Sequence, residues 1–248
     1  MAKKILIASG DSWTGGARYQ YQIRKEYPFW PEILANKLDM DYINVGRSGK
    51  GNEFIYNQMV DTLCSTKSKR VGLAICLWSK FDRWDLYKWT FAINPEYELH
   101  DRYWSGRYVS KVWPEQERHE KFINAIYEHG DLSDGGENLL RSMRRYHSFQ
   151  NYCELHNIPY LQGQAFRPSK NILKEFFDCP QFEFINGDKF VGWPIYKELG
   201  GKSMWEVLDE VDPKQTKLRV SKEDLHPNGE GHERIAELMY ERYKKIYE

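Results

Sequence analysis

Apolar residues along this chain follow two rhythms. Unbroken runs at residues 5–8, 71–77 and 158–161, with a shorter one at 41–45, are bounded by turn residues and have the length of strands buried on both faces. Between them the apolar positions recur every three or four residues, as on one side of a helix. Trp30, Ile33, Leu34 and Leu38 form the first such stripe, with Pro31 suited to an opening turn. Ile55, Met59, Val60 and Leu63 form the second, for which Asn52 is the expected cap. Leu139, Met143, Tyr146 and Cys153 make a third, and Ile235, Leu238, Met239, Tyr243 and Ile246 close the chain. Residues 114–127 also read as helical.

Strand and helix in alternation predict an α/β fold: three layers, α/β/α, around a short parallel sheet. Two stretches fit neither rhythm. Residues 78–113 hold five of the nine tryptophans, and residues 167–211 are irregular. Both are expected to be insertions on a single domain spanning 1–248. The polar stretch 16–27 is expected to be a loop over the edge of the sheet.

Charge narrows the field. Thirty-six basic and 36 acidic residues cancel, so no overall basic field exists to attract nucleic acid. Arg141, Arg144 and Arg145 cluster on one helical face, where solvation is the simpler expectation. Cys64, Cys76, Cys153 and Cys179 show no metal-ligand spacing and read as reduced thiols. His100, His129, His147 and His156 form no ligand pattern with them, and His119-Glu120 lacks a second histidine. Neither a metal nor any other cofactor is predicted. No apolar run is long enough to cross a membrane, and the first strand starts too early for a signal peptide. A soluble, cytoplasmic chain is the expectation.

The chemistry concentrates at the two ends. After the first strand comes Gly10-Asp11-Ser12, with Gly15-Gly16 close behind. A hydroxyl at such a turn stands at the carboxyl edge of the sheet, where open α/β folds place ligands. Taken alone, Ser12 is better read as a turn or capping residue, and it is the far end of the chain that reverses this. Just before the last helix lies Glu223-Asp224-Leu225-His226-Pro227-Asn228. Gly46-x-x-Gly49-x-Gly51 follows the second strand but matches neither a dinucleotide fingerprint nor a P-loop.

Gly-Asp-Ser at the first strand, paired with acid-x-x-His-Pro-Asn before the last helix, resembles the SGNH (GDSL-like) hydrolase family, whose core is flavodoxin-like. The resemblance covers both ends and the first third of the chain and is weak in the middle. It implies a metal-free serine esterase working through an acyl-enzyme, with Ser12 as nucleophile and His226 as base. The family's acid lies three residues before its histidine, which is Glu223 here. Asp224 has the more usual side chain at an unusual spacing, and Glu223 is preferred on spacing. His232, inside the last helix, is read as structural.

The resemblance also implies an oxyanion hole. The backbone N–H groups of Ser12 and Gly46 match two of its donors. The family's third donor, an asparagine after the third strand, is missing; Ser79 or Lys80 stands there instead. The aromatic stretch, with Trp84 and Trp104 as its candidate substrate-binding residues, suits the flat faces of sugar rings. The implied partner is a small-molecule or glycan ester, with acetyl or another short acyl group to be removed. An O-acyltransferase on the same residues, and a non-catalytic binding or structural protein on this scaffold, are the alternatives.

Overall fold

Every residue of the first strand, β1 (Ile5–Gly10), is buried, and its side chains divide by parity. Ile5 and Ile7 enter one apolar cluster and Leu6 and Ala8 another, so the sheet is packed on both faces. This computed structural model describes residues 2–15, 27–87, 103–107, 125 and 136–248. Residues 16–26 of the expected loop, the expected helix 114–127 apart from residue 125, and most of the aromatic stretch, including Trp89 and Trp113, lie outside the described residues.

β2 (Asp41–Asn44), β3 (Val71–Trp78), β6 (Tyr160–Gln164) and β7 (Phe190–Val191) join β1 in one parallel sheet, ordered β2-β1-β3-β6-β7. The three inner strands are therefore β1, β3 and β6, and these correspond to the longer apolar runs of the sequence. On one face lie α2 (Asn52–Ser65) and α3 (Gly136–Leu155), which bury Phe54, Ile55, Met143 and Tyr146 against Ala74, Cys76 and Trp78. The other face is covered by α1 (Trp30–Lys37), α5 (Met204–Val211) and α6 (Gly229–Tyr247). There Trp30, Leu34, Leu208, Ile235 and Met239 meet Leu73, Ile75 and Leu77. This is the three-layer α/β arrangement that the two rhythms predict.

The irregular stretches contain more order than their sequence suggests. Residues 167–211 include the short helix α4 (Leu173–Phe177), the edge strand β7 and α5. Helix α5 opens with a reciprocal capping box between Ser203 and Glu206. In the aromatic stretch, β4 (Arg83–Tyr87) pairs antiparallel with β5 (Tyr103–Arg107). Both strands are five residues long, too short for a period to stand out.

The expected cap of α2 is corrected. Asn52 is already helical, and Asp85 of β4 supplies the cap, its two carboxylate oxygens accepting from Gly51 N and Phe54 N at 2.9 Å each. Asn52 is turned inward to the sheet edge. All four cysteines are free. Cys76 and Cys153 are buried in the core, and burial pushes both thiols well above the usual range, which leaves them unreactive. No helix among the described residues is long and apolar enough to cross a membrane.

Because Asp85 satisfies two orphan N–H groups of α2, Asp85→Ala should lower stability by about 1 kcal/mol. Chemical denaturation of the two proteins, with unchanged m-value, checks this.

Candidate active site

Beyond β1 the chain turns within five residues. Thr14 N and Gly15 N both donate to the Asp11 carbonyl at 2.9 Å, while Trp13 N donates to Asp11 Oδ1 at 3.0 Å. The carboxylate thus closes an Asx-turn with Ser12 at its tip. Glycine is required on both sides of it. A Cβ on Gly10 would strike the Thr14 side chain, and one on Gly15 the Gly46 carbonyl.

Asp11 is fully buried, and its charge is answered locally. Oδ2 accepts from Ser79 Oγ at 2.7 Å and from Arg83 Nη1 at 2.8 Å. The same Nη1 also reaches Ser79 Oγ at 2.7 Å and the Lys50 carbonyl at 2.8 Å. The turn at the end of β1, the exit of β3 and the start of β4 are therefore tied at one carboxylate.

The other half of the site arrives 214 positions later. Ser12 Oγ lies 2.8 Å from His226 Nε2, and His226 Nδ1 lies 2.5 Å from Asp224 Oδ1. A carboxylate offers only acceptors, so Nδ1 carries the ring proton and Nε2 is left to accept from the serine hydroxyl. Asp224 Oδ1 also accepts from His226 N at 3.1 Å. One oxygen thus holds the backbone and the ring of the same histidine. That double hold explains how an acid two residues upstream can serve.

Glu223 does not reach the ring. Its carboxylate accepts from Ser221 Oγ at 2.9 Å, on an exposed part of the loop. The preference for Glu223 is therefore corrected: of the two acids, the structure puts Asp224 on the imidazole. His232 lies apart, buried beside Phe29 with Nδ1 accepting from Trp30 N at 3.4 Å.

The expected oxyanion donors are unevenly placed. Ser12 N has no hydrogen-bond partner among the described residues. Gly46 N donates to Asn44 Oδ1 at 2.9 Å. Ser79 is wholly occupied: its hydroxyl serves Asp11, and its N–H donates to Asn52 Oδ1 at 2.7 Å. Ser79 is thus a supporting residue, which corrects the expectation that it could replace the family's asparagine. Lys80 is half-buried, its ammonium 5.3 Å above the Phe166 ring.

Trp84 does not line a groove over the serine. It lies under the Arg141 guanidinium, 4.6 Å from ring centroid to cation, in a crevice with Asn52, Asp85 and Ser142 between α2 and α3. For Trp104 the described part is its backbone, paired with Leu86 in the hairpin. The aromatics packed behind the serine turn are others: Trp13 is 5.2 Å from Phe166 and stacks on Trp205 at 5.7 Å. Trp13 directly follows Ser12, a signal the sequence carried. Among the described residues no three His, Cys, Asp or Glu side chains converge as metal ligands would.

No protein-family model matches this sequence, and no curated protein matches it. Solved structures do. LAE5, an α/β hydrolase from the metagenome of Lake Arreo, Spain, is 11% identical and has a TM-score of 0.51, with 100% of this chain and 98% of that one covered. A member of the lipolytic protein G-D-S-L family from Veillonella parvula DSM 2008 is 12% identical with a TM-score of 0.41, covering 98% of both chains. The psychrotrophic esterase EstA from Pseudoalteromonas sp. is 14% identical with a TM-score of 0.45, covering 98% of this chain and 97% of its own. At 11% identity the likeness to LAE5 is one of fold alone, the three-layer α/β arrangement described above.

Two substitutions test the two carboxylates. Arg83→Met leaves Asp11 buried without its counter-charge and should destabilise the protein by about 3 kcal/mol, read from denaturant midpoints. Asp224→Asn should lower the rate of Ser12 labelling by a serine-directed phosphonate on the order of a hundredfold or more, while Glu223→Gln stays within about twofold of wild type. Equal losses in both would remove the geometric distinction between them.

Proposed function

We propose that this chain is a serine hydrolase cleaving carboxylic esters through an acyl-enzyme on Ser12. The observation that supports it most is the 2.8 Å contact between Ser12 Oγ and His226 Nε2, with Asp224 behind the ring. Nε2 takes the hydroxyl proton as Oγ attacks the ester carbonyl carbon. The tetrahedral intermediate collapses with loss of the alcohol, which takes the proton from Nε2. Water then repeats the sequence on the acyl-enzyme, with its own proton passing to Nε2, and frees the acid and Ser12.

The oxyanion that forms at each addition needs fixed donors. Ser12 N has no partner among the described residues, which supports that role. Lys80, at the exit of β3, is the cation we assign as the second donor. Gly46 contributes only if its hydrogen bond to Asn44 yields to the substrate. We carry forward a short acyl group, acetyl foremost, on a carbohydrate or small alcohol as the substrate class, within a single domain of 248 residues. The engagement of Gly46 and Ser79 favours a second reading, in which the scaffold binds a ligand without turning it over.

One experiment separates the two. Wild type should hydrolyse p-nitrophenyl acetate and become labelled at Ser12 by a phosphonate. Ser12→Ala should abolish labelling, and His226→Ala should reduce kcat by a factor on the order of 10³ or more. A folded wild-type protein that neither turns over nor labels supports the binding reading. Product analysis with added sugar acceptors distinguishes hydrolysis from acyl transfer.

A further inference from the structure

The loop that carries His226 is well knit internally. Val220 N donates to the His226 carbonyl at 2.9 Å, Ser221 N to the Asp224 carbonyl at 3.0 Å, and Asn228 N to the Leu218 carbonyl at 3.1 Å. Asn228 Nδ2 adds bonds to the carbonyls of Lys217 and Arg219, and its Oδ1 accepts from Gly231 N to cap α6. Asp212 accepts from Lys217 N and Leu218 N, and the N–H groups of Leu218, Lys217 and Thr216 hold its carboxyl below the usual carboxylate range. These bonds shape the loop. They do not place its tip against β1.

Arg219 makes that connection. Its side chain is 1% exposed, an unusual position for a guanidinium unless it is fully partnered. Nη1 donates to the Leu225 carbonyl at 3.0 Å, immediately before His226. Nη2 donates to the Trp205 carbonyl at 3.1 Å and to Asp209 Oδ1 at 2.8 Å, both on α5. The guanidinium carbon lies 5.0 Å from the Trp13 ring and 4.7 Å from the Trp205 ring. Trp205 N in turn donates to the Ala165 carbonyl at 3.0 Å, just past β6. One planar cation thus touches the residue after the serine, the residue before the histidine, and the helix moored to the sheet.

We infer that Arg219 is a positioning residue, a fork that sets the distance between the His226 ring and the Ser12 hydroxyl. The inference rests on the serine-hydrolase reading above. A proton transfer across a 2.8 Å contact is sensitive to displacement, and misplacement by about 1 Å can cost on the order of a hundredfold in rate. Lysine keeps the charge but lacks the fork, so it cannot join the Leu225 and Trp205 carbonyls in one plane. His226 and Asp224 travel together on the loop. Loss of Arg219 should therefore lower the maximal rate and leave KM close to wild type.

The test is phosphonate labelling of Ser12 and hydrolysis of p-nitrophenyl acetate across pH, in wild type, Arg219→Met and Arg219→Lys. Circular dichroism melts accompany each protein. Arg219→Met is expected to lose on the order of a hundredfold in plateau labelling rate and kcat, with KM close to wild type. Arg219→Lys should recover about a tenth of the wild-type rate. A residue with only a structural role would lower the melting temperature and leave the folded variant labelling normally. That outcome overturns the inference. Should Arg219→Met melt below the assay temperature, Arg219→Lys decides alone: a wild-type plateau overturns the inference, and a roughly tenfold fall with unchanged KM supports it. If wild type itself is not labelled, the serine-hydrolase reading falls and takes this inference with it; if wild type labels and the folded variants match it, only the inference falls.

Discussion

A carboxylate with no access to water must be compensated where it stands, and Asp11 sets that constraint for the whole carboxyl edge of the sheet. Its two oxygens and its carbonyl take five donors from Trp13, Ser79, Arg83, Thr14 and Gly15. Each of those donors lies on a different part of the edge or fixes a different bond of the turn. Ser79 is the first residue beyond β3, and Arg83 opens β4. The serine turn is therefore rigid because the charge beside it demands partners from its neighbours. Ser12, at the tip, puts its hydroxyl 2.8 Å from His226 Nε2.

The same constraint explains why Ser79 cannot double as an oxyanion donor. A hydroxyl and an N–H that satisfy Asp11 and Asn52 have nothing left to offer a substrate. The chain has thus converted the exit of β3 from a donor site into a support. The Lys80 ammonium, the next side chain along, lies 5.3 Å from the Phe166 ring instead.

Much of the fold was legible because it follows from periodicity. Ile5, Leu6, Ile7 and Ala8 alternate between two cores, and Ile235 and Met239 recur at helical spacing. The hydroxyl and imidazole were legible too, as a strand-end turn and a loop before a helix, but only as a pair. Spacing along the chain favours Glu223 over Asp224, whereas the Asx bond to His226 N bends the chain so that two residues suffice. Trp84 looked like a platform because its composition fits one; Arg141 covers it instead. Arg83 and Arg219 gave no signal at all. In a sequence an arginine reads as solvated, and only a folded chain shows that Asp11, Asp209 and two tryptophan faces have drawn these two inward.

The two sides of the site are also unequal in stiffness. The hydroxyl sits just past a strand flanked by β2 and β3, whereas among the described residues the segment that carries the imidazole has only the bridge between Arg219 and Pro227. Free energies of local opening follow such differences in anchorage. Warming or mild denaturant would let the imidazole drift off while the β-sheet still stood, so that its contact with the hydroxyl is lost ahead of any bulk melting signal and returns on cooling without refolding.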